Sequence, residues 1–178
     1  MNAPSAPVTL RPLDAAVATA RLDQLAAILV DAVAHGASVN FLAGFGLPAA
    51  AAFWRALLPG IAGGRTILIV AEDGGAIVGT VLLSLAPQPN AQHRADVGKM
   101  LVHSSRRRQG LGTRLLAAAE ETAHRLGRTL LILDRETGSA GEHLYRSTGW
   151  TPFGVVPGHA HRPDGTPAPT TFFYKHLP

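Results

Sequence analysis

The sequence predicts a single mixed α/β domain, and three observations carry that reading. The chain has 178 residues, 47% of them hydrophobic, enough for one ordinary domain with a real core. Its apolar pattern alternates between helical spacing and short continuous runs from end to end. No repeat and no linker-like stretch divides it. The domain therefore spans 8–178, after a small, Pro-rich, flexible segment, 1–7.

Each element has a local reason. "VTLRPL" (8–13) is a first strand. Asp14 is an N-cap for one helix through "AAVATARLDQLAAILVDAVAH", whose leucines and valines recur at helical spacing until Gly36 stops it. Residues 36–46 form a glycine-rich loop carrying Val39, Phe41 and Phe45. Pro48 suits the first turn of a second helix, "PAAAAFWRALL", which "PGIAGG" should end. Two apolar runs in 65–87 flank Asp73-Gly74-Gly75, a strong hairpin signal.

"RADVGKMLV" (94–102) is a strand leading straight into "RRRQGLGT". The helix 110–127 keeps Leu111, Arg114, Leu115 and Ala118 on one stripe and meets Gly127 as its C-cap. "RTLLILD" (128–134) is a buried strand, and "SAGEHLYRSTGW" (139–150) is a short helix. "TPFGVV" and "TTFFYKHL" bracket a turn-rich segment as a final strand pair.

Composition excludes several classes. Charged residues make up 16% of the chain, so it is not a disordered polyelectrolyte. The absence of cysteine removes disulfide scaffolds, thiol catalysis and cysteine-bound zinc. No charged segment followed by an apolar run marks a signal peptide, and no run is long enough to span a membrane; the expected location is the cytoplasm. The net charge of +4 is modest and, apart from Lys99 and Lys175, carried by scattered arginines. Phe41, Phe45, Phe53 and Trp54 do not interleave with arginines as a base-stacking surface requires, which argues against a nucleic-acid partner. His159 and His161 share one face of an extended segment, but no third ligand lies near in sequence, so no metal is expected.

The strand–turn–helix unit around Arg106-Arg107-Arg108 carries Arg107-x-x-Gly110-x-Gly112. A helix N-terminus leaves backbone N–H groups unpaired and bears partial positive charge. Gly110 and Gly112 let a phosphate approach those groups, and Arg107 and Arg108 add charge-assisted contacts. A lone Gly-x-Gly is weak. The Walker pattern fails for want of Gly-Lys-Ser/Thr, and the dinucleotide fingerprint fails at Leu115.

In context the motif resembles the acetyl-coenzyme A signature of the GCN5-related N-acetyltransferases (GNAT), (Gln/Arg)-x-x-Gly-x-(Gly/Ala). "HLYRSTGW" fits the later helix of that family. "NAQHRADVGKMLV", "LLILDRETGSAGEHLY" and "VPGHAHRPDGTPAPTTFFYKHL" also look like its tabtoxin-resistance acetyltransferase group. The resemblance implies a twisted, mostly antiparallel sheet flanked by helices and splayed between its fourth and fifth strands, here 94–102 and 128–134. Acetyl-CoA would lie in that opening as co-substrate.

The resemblance implies that backbone groups of Met100, Leu101 and Val102 pair with the pantetheine arm. The N–H groups of Arg108, Gln109, Gly110, Leu111, Gly112 and Thr113 would surround the pyrophosphate, with Arg107 as part of the signature. Arg106 is either an outer charge near the 3′-phosphate or solvated. A β-bulge is expected near Gly98.

The implied reaction is attack of a neutral amine on a thioester. Asp96 and Asp134 are placed beside the acceptor, and Tyr145 matches the tyrosine that protonates the departing sulfur. From the residues alone, other roles stay open: Asp96 pairing with Arg94 or Lys99, Asp134 capping a turn, Tyr145 packing. The group has a glutamate where this chain has Asp96. Loop 36–46 should line the acceptor pocket. The partner implied is a small-molecule amine, the protein being a monomer or homodimer. A protein or peptide acceptor and an acetyl-CoA-binding protein without turnover are the alternatives.

Overall fold

The computed structural model describes residues 7–178; the flexible segment expected over 1–7 lies, except for residue 7, outside the described residues. The chain opens with strand β1 (Thr9–Leu13) and helices α1 (Ala15–Ala20), α2 (Leu22–Ala34) and α3 (Leu47–Ala62). A meander follows: β2 (Thr66–Asp73), β3 (Ala76–Leu85) and β4 (Arg94–Val102). Helix α4 (Leu111–Arg125), strand β5 (Leu130–Glu136) and helix α5 (Ala140–Ser147) come next, then the pair β6 (Thr151–His161) and β7 (Pro167–His176). All seven strands form one sheet in the order β1-β2-β3-β4-β5-β7-β6. Every neighbouring pair is antiparallel except β4 and β5, which are parallel and joined through α4.

Two apolar layers cover the sheet. On one face α1, α2 and α3 bury Leu25, Leu29 and Trp54 against Leu68, Val70 and Leu101. On the other, the α4 stripe of Leu111, Leu115, Leu116, Ala119 and Ala123 meets Ile69, Val81, Val97 and Leu131, with Tyr145 of α5 in the same layer. Alternate strand residues feed opposite layers, as the pleat requires. Among the described residues no helix is long and apolar enough to cross a membrane.

The structure corrects three sequence boundaries. The single helix expected after Asp14 breaks at Arg21, whose backbone has φ −117° and ψ 18°. Arg21 is drawn to the β2–β3 hairpin, where it is ion-paired with Glu72 and donates to the Gly75 carbonyl at 2.7 Å. Helix α3 runs past Pro59 to Ala62 instead of ending there. A proline inside a helix costs about 3 kcal/mol, which burial of Ile61, at 8% exposure, helps to offset. Finally, the turn-rich segment after "TPFGVV" is mostly strand, so that β6 extends to His161. Its Pro157 is tolerated because β6 is an edge strand with a register shift between Val156 and Ala160.

Leu115 is fully buried, and its Cδ1 lies over Gly79 of β3. Replacing Leu115 with alanine should lower unfolding stability in urea by about 2–5 kcal/mol, through lost burial and the cavity left behind.

Candidate active site

Strands β4 and β5 pair at only three positions, Arg94↔Leu130, Ala95↔Leu131 and Asp96↔Ile132. Beyond Asp96 they diverge. The cleft between them is lined by Ser38, Val39, Asn40, Val97, Gly98, Lys99, Met100, Asp134, Arg135 and Tyr145.

The wall on the β4 side is shaped by a bulge. Thr80↔Leu101 and Leu82↔Gly98 are successive pairs on either side of the irregularity, so β4 carries one residue more than β3 across this step. The burial pattern agrees: Val97 faces the α4 layer and Leu101 faces the α1–α3 layer, although residues four apart share a face in a regular strand. The bulge was expected near Gly98, but Lys99 adopts the left-handed conformation, with φ 45°. The buried Thr80 hydroxyl donates to the Lys99 carbonyl at 2.8 Å and holds it there. Lys99 thereby joins the α1–α3 side, its Nζ lying 5.2 Å from the Phe53 ring centre and 5.9 Å from that of Phe41.

The two predicted carboxylates share a face. Ala95, Val97, Leu131 and Leu133 point into the α4 layer, so Asp96, Ile132 and Asp134 point to the other side. Asp96 is the last β4 residue paired with β5, and of the two carboxylates only Asp134 is among the residues that line the cleft. Burial pushes the Asp96 carboxyl up; Arg94 opposes the shift and Asp134 adds to it.

Tyr145 enters from α5, 5% exposed, with its ring 5.9 Å from both Trp150 and Phe173. Burial pushes its hydroxyl up to about 12, with Arg135 pulling it down and Asp134 pushing it further. Among the described residues nothing accepts a hydrogen bond from that hydroxyl, which lies on the cleft.

The loop from β4 to α4 separates the three arginines. Arg106 is ion-paired with Asp73 at the β2–β3 hairpin, with its side chain still partly exposed. Arg107 Nε donates to the Val102 carbonyl at 3.1 Å, tying the loop to the end of β4. Arg108 is exposed and takes a left-handed φ of 59°. Gly110 caps α4 with φ 75° and no side-chain hydrogen bond.

Among the described residues nothing accepts a hydrogen bond from the backbone N–H groups of Arg108, Gln109, Gly110, Leu111, Gly112 and Thr113. Six consecutive unpaired donors, running into the positive end of a helix dipole, are chemically suited to hold an anion. Gly110 has nothing within 4 Å of where a Cβ would stand. Gly112 differs, because a Cβ there would meet Leu144 Cδ2 at 3.2 Å. Its missing side chain leaves room for Leu144 of α5.

Met100, Leu101 and Val102 lie past the bulge, where β4 has no β5 partner. Only Met100 of the three lines the cleft; the Leu101 side chain is core, at 3% exposure. Residues 38–40 of the expected acceptor loop reach the cleft. The loop is held by Arg135, which donates to the Ser38 carbonyl at 3.4 Å, and by Ala43 N–H, which donates to the Pro163 carbonyl at 2.6 Å. Among the described residues no three His, Asp or Glu side chains are placed to hold a metal ion.

Sequence reasoning missed Glu142 and the cleft roles of Lys99 and Arg135. Glu142 is buried, accepts from the Gly138 N–H, and is ion-paired with Arg146 at 2.7 Å. Its own N–H donates to Ser139 Oγ at 3.3 Å. Ser139-x-x-Glu142 is the pattern of a capping box and was readable as one. Nothing in the spacing marks Lys99, whose orientation depends on the bulge.

A model of the acetyltransferase (GNAT) family matches residues 39–150, more than half of the chain. Solved structures share the fold over nearly all of it. A putative acetyltransferase, yncA, from Salmonella typhimurium with its cofactor acetyl-CoA aligns with TM-score 0.77 and 20% identity, covering 97% of this chain and 95% of that one. A GNAT superfamily phosphinothricin acetyltransferase from Sinorhizobium meliloti in complex with AcCoA aligns with TM-score 0.78 and 21% identity, covering 96% and 88%. A ribosomal-protein-alanine N-acetyltransferase from Brucella melitensis aligns with TM-score 0.76 and 24% identity, covering 95% and 99%. The chain belongs to the acetyltransferase (GNAT) family.

The hydrogen bond from Gly138 lowers the Glu142 carboxyl; burial opposes this, and Arg146 and Thr171 reinforce it. A carboxyl lowered in the folded state stabilises fully above its unfolded value of about 4.3 and loses that contribution as pH falls through the folded value. Thermal melts between neutral pH and pH of about 3 should therefore show an acid-side loss of stability that Glu142→Gln reduces.

Proposed function

We propose that this GNAT acetyltransferase moves the acetyl group of acetyl-CoA to the primary amine of a small molecule, by direct attack in a ternary complex. The acceptor is an amino compound, with tabtoxinine-β-lactam-like molecules as the class suggested by the sequence resemblance. The observation that carries the reading is the run of six unpaired N–H groups from Arg108 to Thr113 beside a cleft open at its β4 edge. The residues fit acetyl-CoA: the run takes the pyrophosphate, with Arg107 bracing the loop, and the free edge of Met100, Leu101 and Val102 faces the pantetheine arm.

Bound acetyl-CoA supplies a thioester carbon open to attack by a neutral amine. Asp134 and Asp96 attract the incoming ammonium and take its proton, directly or through water. The raised carboxyl of Asp96 narrows its gap to an amine. Tyr145 stays protonated at every working pH and points a donor at the departing sulfur. Because its value of about 12 lies above a thiol's ordinary ~8.5, complete transfer to sulfur is uphill. Transfer is therefore concerted: the Tyr145 hydroxyl proton goes to the sulfur as the C–S bond breaks, and the second proton lost from the nitrogen returns to the tyrosine. The wall formed by residues 38–40 and fixed by Arg135 favours a small acceptor, since a peptide needs an open groove.

Gly110→Glu puts a side chain and a negative charge into that run of N–H groups at a left-handed position. Calorimetry should show acetyl-CoA binding to the parent protein and a loss of about 100-fold or more in the variant. A parent protein that does not bind acetyl-CoA overturns the reading. Tyr145→Phe should keep acetyl-CoA affinity while kcat falls by about 100-fold or more, measured by thiol release. An unchanged rate removes Tyr145 from the mechanism, and no turnover of any amine by the parent protein favours a binding protein.

A further inference from the structure

The mechanism above leaves one charged group on the cleft without a task. Lys99 is half-buried, and it makes no ion pair and donates no side-chain hydrogen bond among the described residues. Its surroundings are the faces of Phe41 and Phe53 and, at longer range, the charge of Asp134. Burial lowers the pKa of its ammonium while Asp134 raises it. A second cation stands on the same cleft: Arg135 donates only to neutral oxygens, of Ser139 and Ser38, both at 3.4 Å.

A partly desolvated charge without a counterion is unfavourable, and fixed aromatic faces offset only part of that. The backbone adds to the argument. Among the described residues, Asn40, Lys99 and Arg108 are the non-glycine residues in the left-handed region, and the first two line this cleft. A lysine there is strained, whereas a bulge one residue earlier would have placed Gly98 in that conformation. The strain has one structural result: it turns the Lys99 side chain to the side of the sheet that Asp96 and Asp134 face, against the loop at 38–40.

An acceptor that is only an ammonium would meet, beside the carboxylates meant to receive it, two cations that no carboxylate reaches at ion-pair distance among the described residues. An acceptor bearing an anion as well would satisfy both sets. We propose that Lys99, supported by Arg135, binds a carboxylate of the acceptor and so selects amines that carry one. This rests on the acetyl-transfer reading above and narrows it to a substrate class.

The test compares acceptors that differ by the carboxylate alone: L-methionine, L-ornithine and L-lysine against 3-(methylthio)propylamine, putrescine and cadaverine. Thiol release gives kcat/KM for the full-length protein, and calorimetry of acetyl-CoA binding is run in parallel. For acceptors that react, the carboxylate form should be preferred by about 100-fold or more. Lys99→Met should reduce that ratio to within about tenfold, chiefly through KM of the carboxylate acceptor. A merely structural Lys99, or one acting on the thioester oxygen, would depress both members of a pair in proportion and leave the ratio standing, which overturns the assignment. The parent protein's own preference tests the idea even if the variant does not fold. Equal use of both forms overturns it, as does failure of every carboxylate-bearing amine to react while acetyl-CoA binds. Failure to bind acetyl-CoA is a different result, and it strikes the acetyl-transfer reading itself.

Discussion

Two parallel strands that stay paired for three residues and then part are the constraint on which the rest of this molecule depends. Strand β4 is bonded to β3 along its other edge and bends away at the Lys99 bulge, while β5 is held by β7 over its whole length. Each strand is secured by a different neighbour, so neither has to follow the other. The divergence exposes the β4 edge beyond Asp96 and leaves Asp134 lining the cleft. Helix α4 links the two strands, and the N–H groups at its start are unpaired among the described residues. One topological feature thus frees the strand edge and separates Asp96 from Asp134.

The described strain gathers at this opening. Asn40 lies on one wall, Lys99 on another and Arg108 in the β4–α4 loop, all with positive φ. Such conformations cost on the order of 1–3 kcal/mol each and persist where the surroundings over-determine them. The surroundings here are specific. Thr80 holds the Lys99 carbonyl, Arg107 ties the loop to Val102, and Asp31 of α2 accepts from both the N–H and the hydroxyl of Ser104, at 2.8 and 2.7 Å. Burial pushes the Asp31 carboxyl up, but the Ser104 bonds, with His103 and His35, hold it below its ordinary value. The charge of Asp31 is therefore a structural tie between the helical layer and the β4–α4 loop.

Charge placement sorts the site from its scaffold. Arg106, Arg146 and Arg162 each meet a carboxylate of the fold, respectively Asp73, Glu142 and Glu136. Lys99 and Arg135 do not, and both lie on the cleft. Of the arginine triplet, the most conspicuous charge in the sequence, Arg106 and Arg107 are tied to the fold, by Asp73 and the Val102 carbonyl.

Much of the fold was legible in the residues alone. The DGG hairpin, the β4 strand at 94–102, the α4 stripe and the single α/β domain follow from local periodicity and turn chemistry, which need no distant partner. So does the run of N–H groups at the start of α4, because a glycine-capped helix leaves them unpaired wherever it sits. Tertiary structure decided what local signals do not contain. The break at Arg21 comes from a pull by Glu72 and Gly75 some fifty residues away. The continuation of α3 past Pro59 comes with burial of Ile61, and the length of β6 with its pairing to β7. Gly112 also lies under Leu144, a contact that exists only once α5 has docked on α4. Whether Lys99 faces solvent, core or cleft depends on one extra residue in the β3–β4 register. Side chains alternate with a period of two, so a single inserted residue moves a side chain to the other face, and register is a property of two paired strands that no single stretch of sequence states.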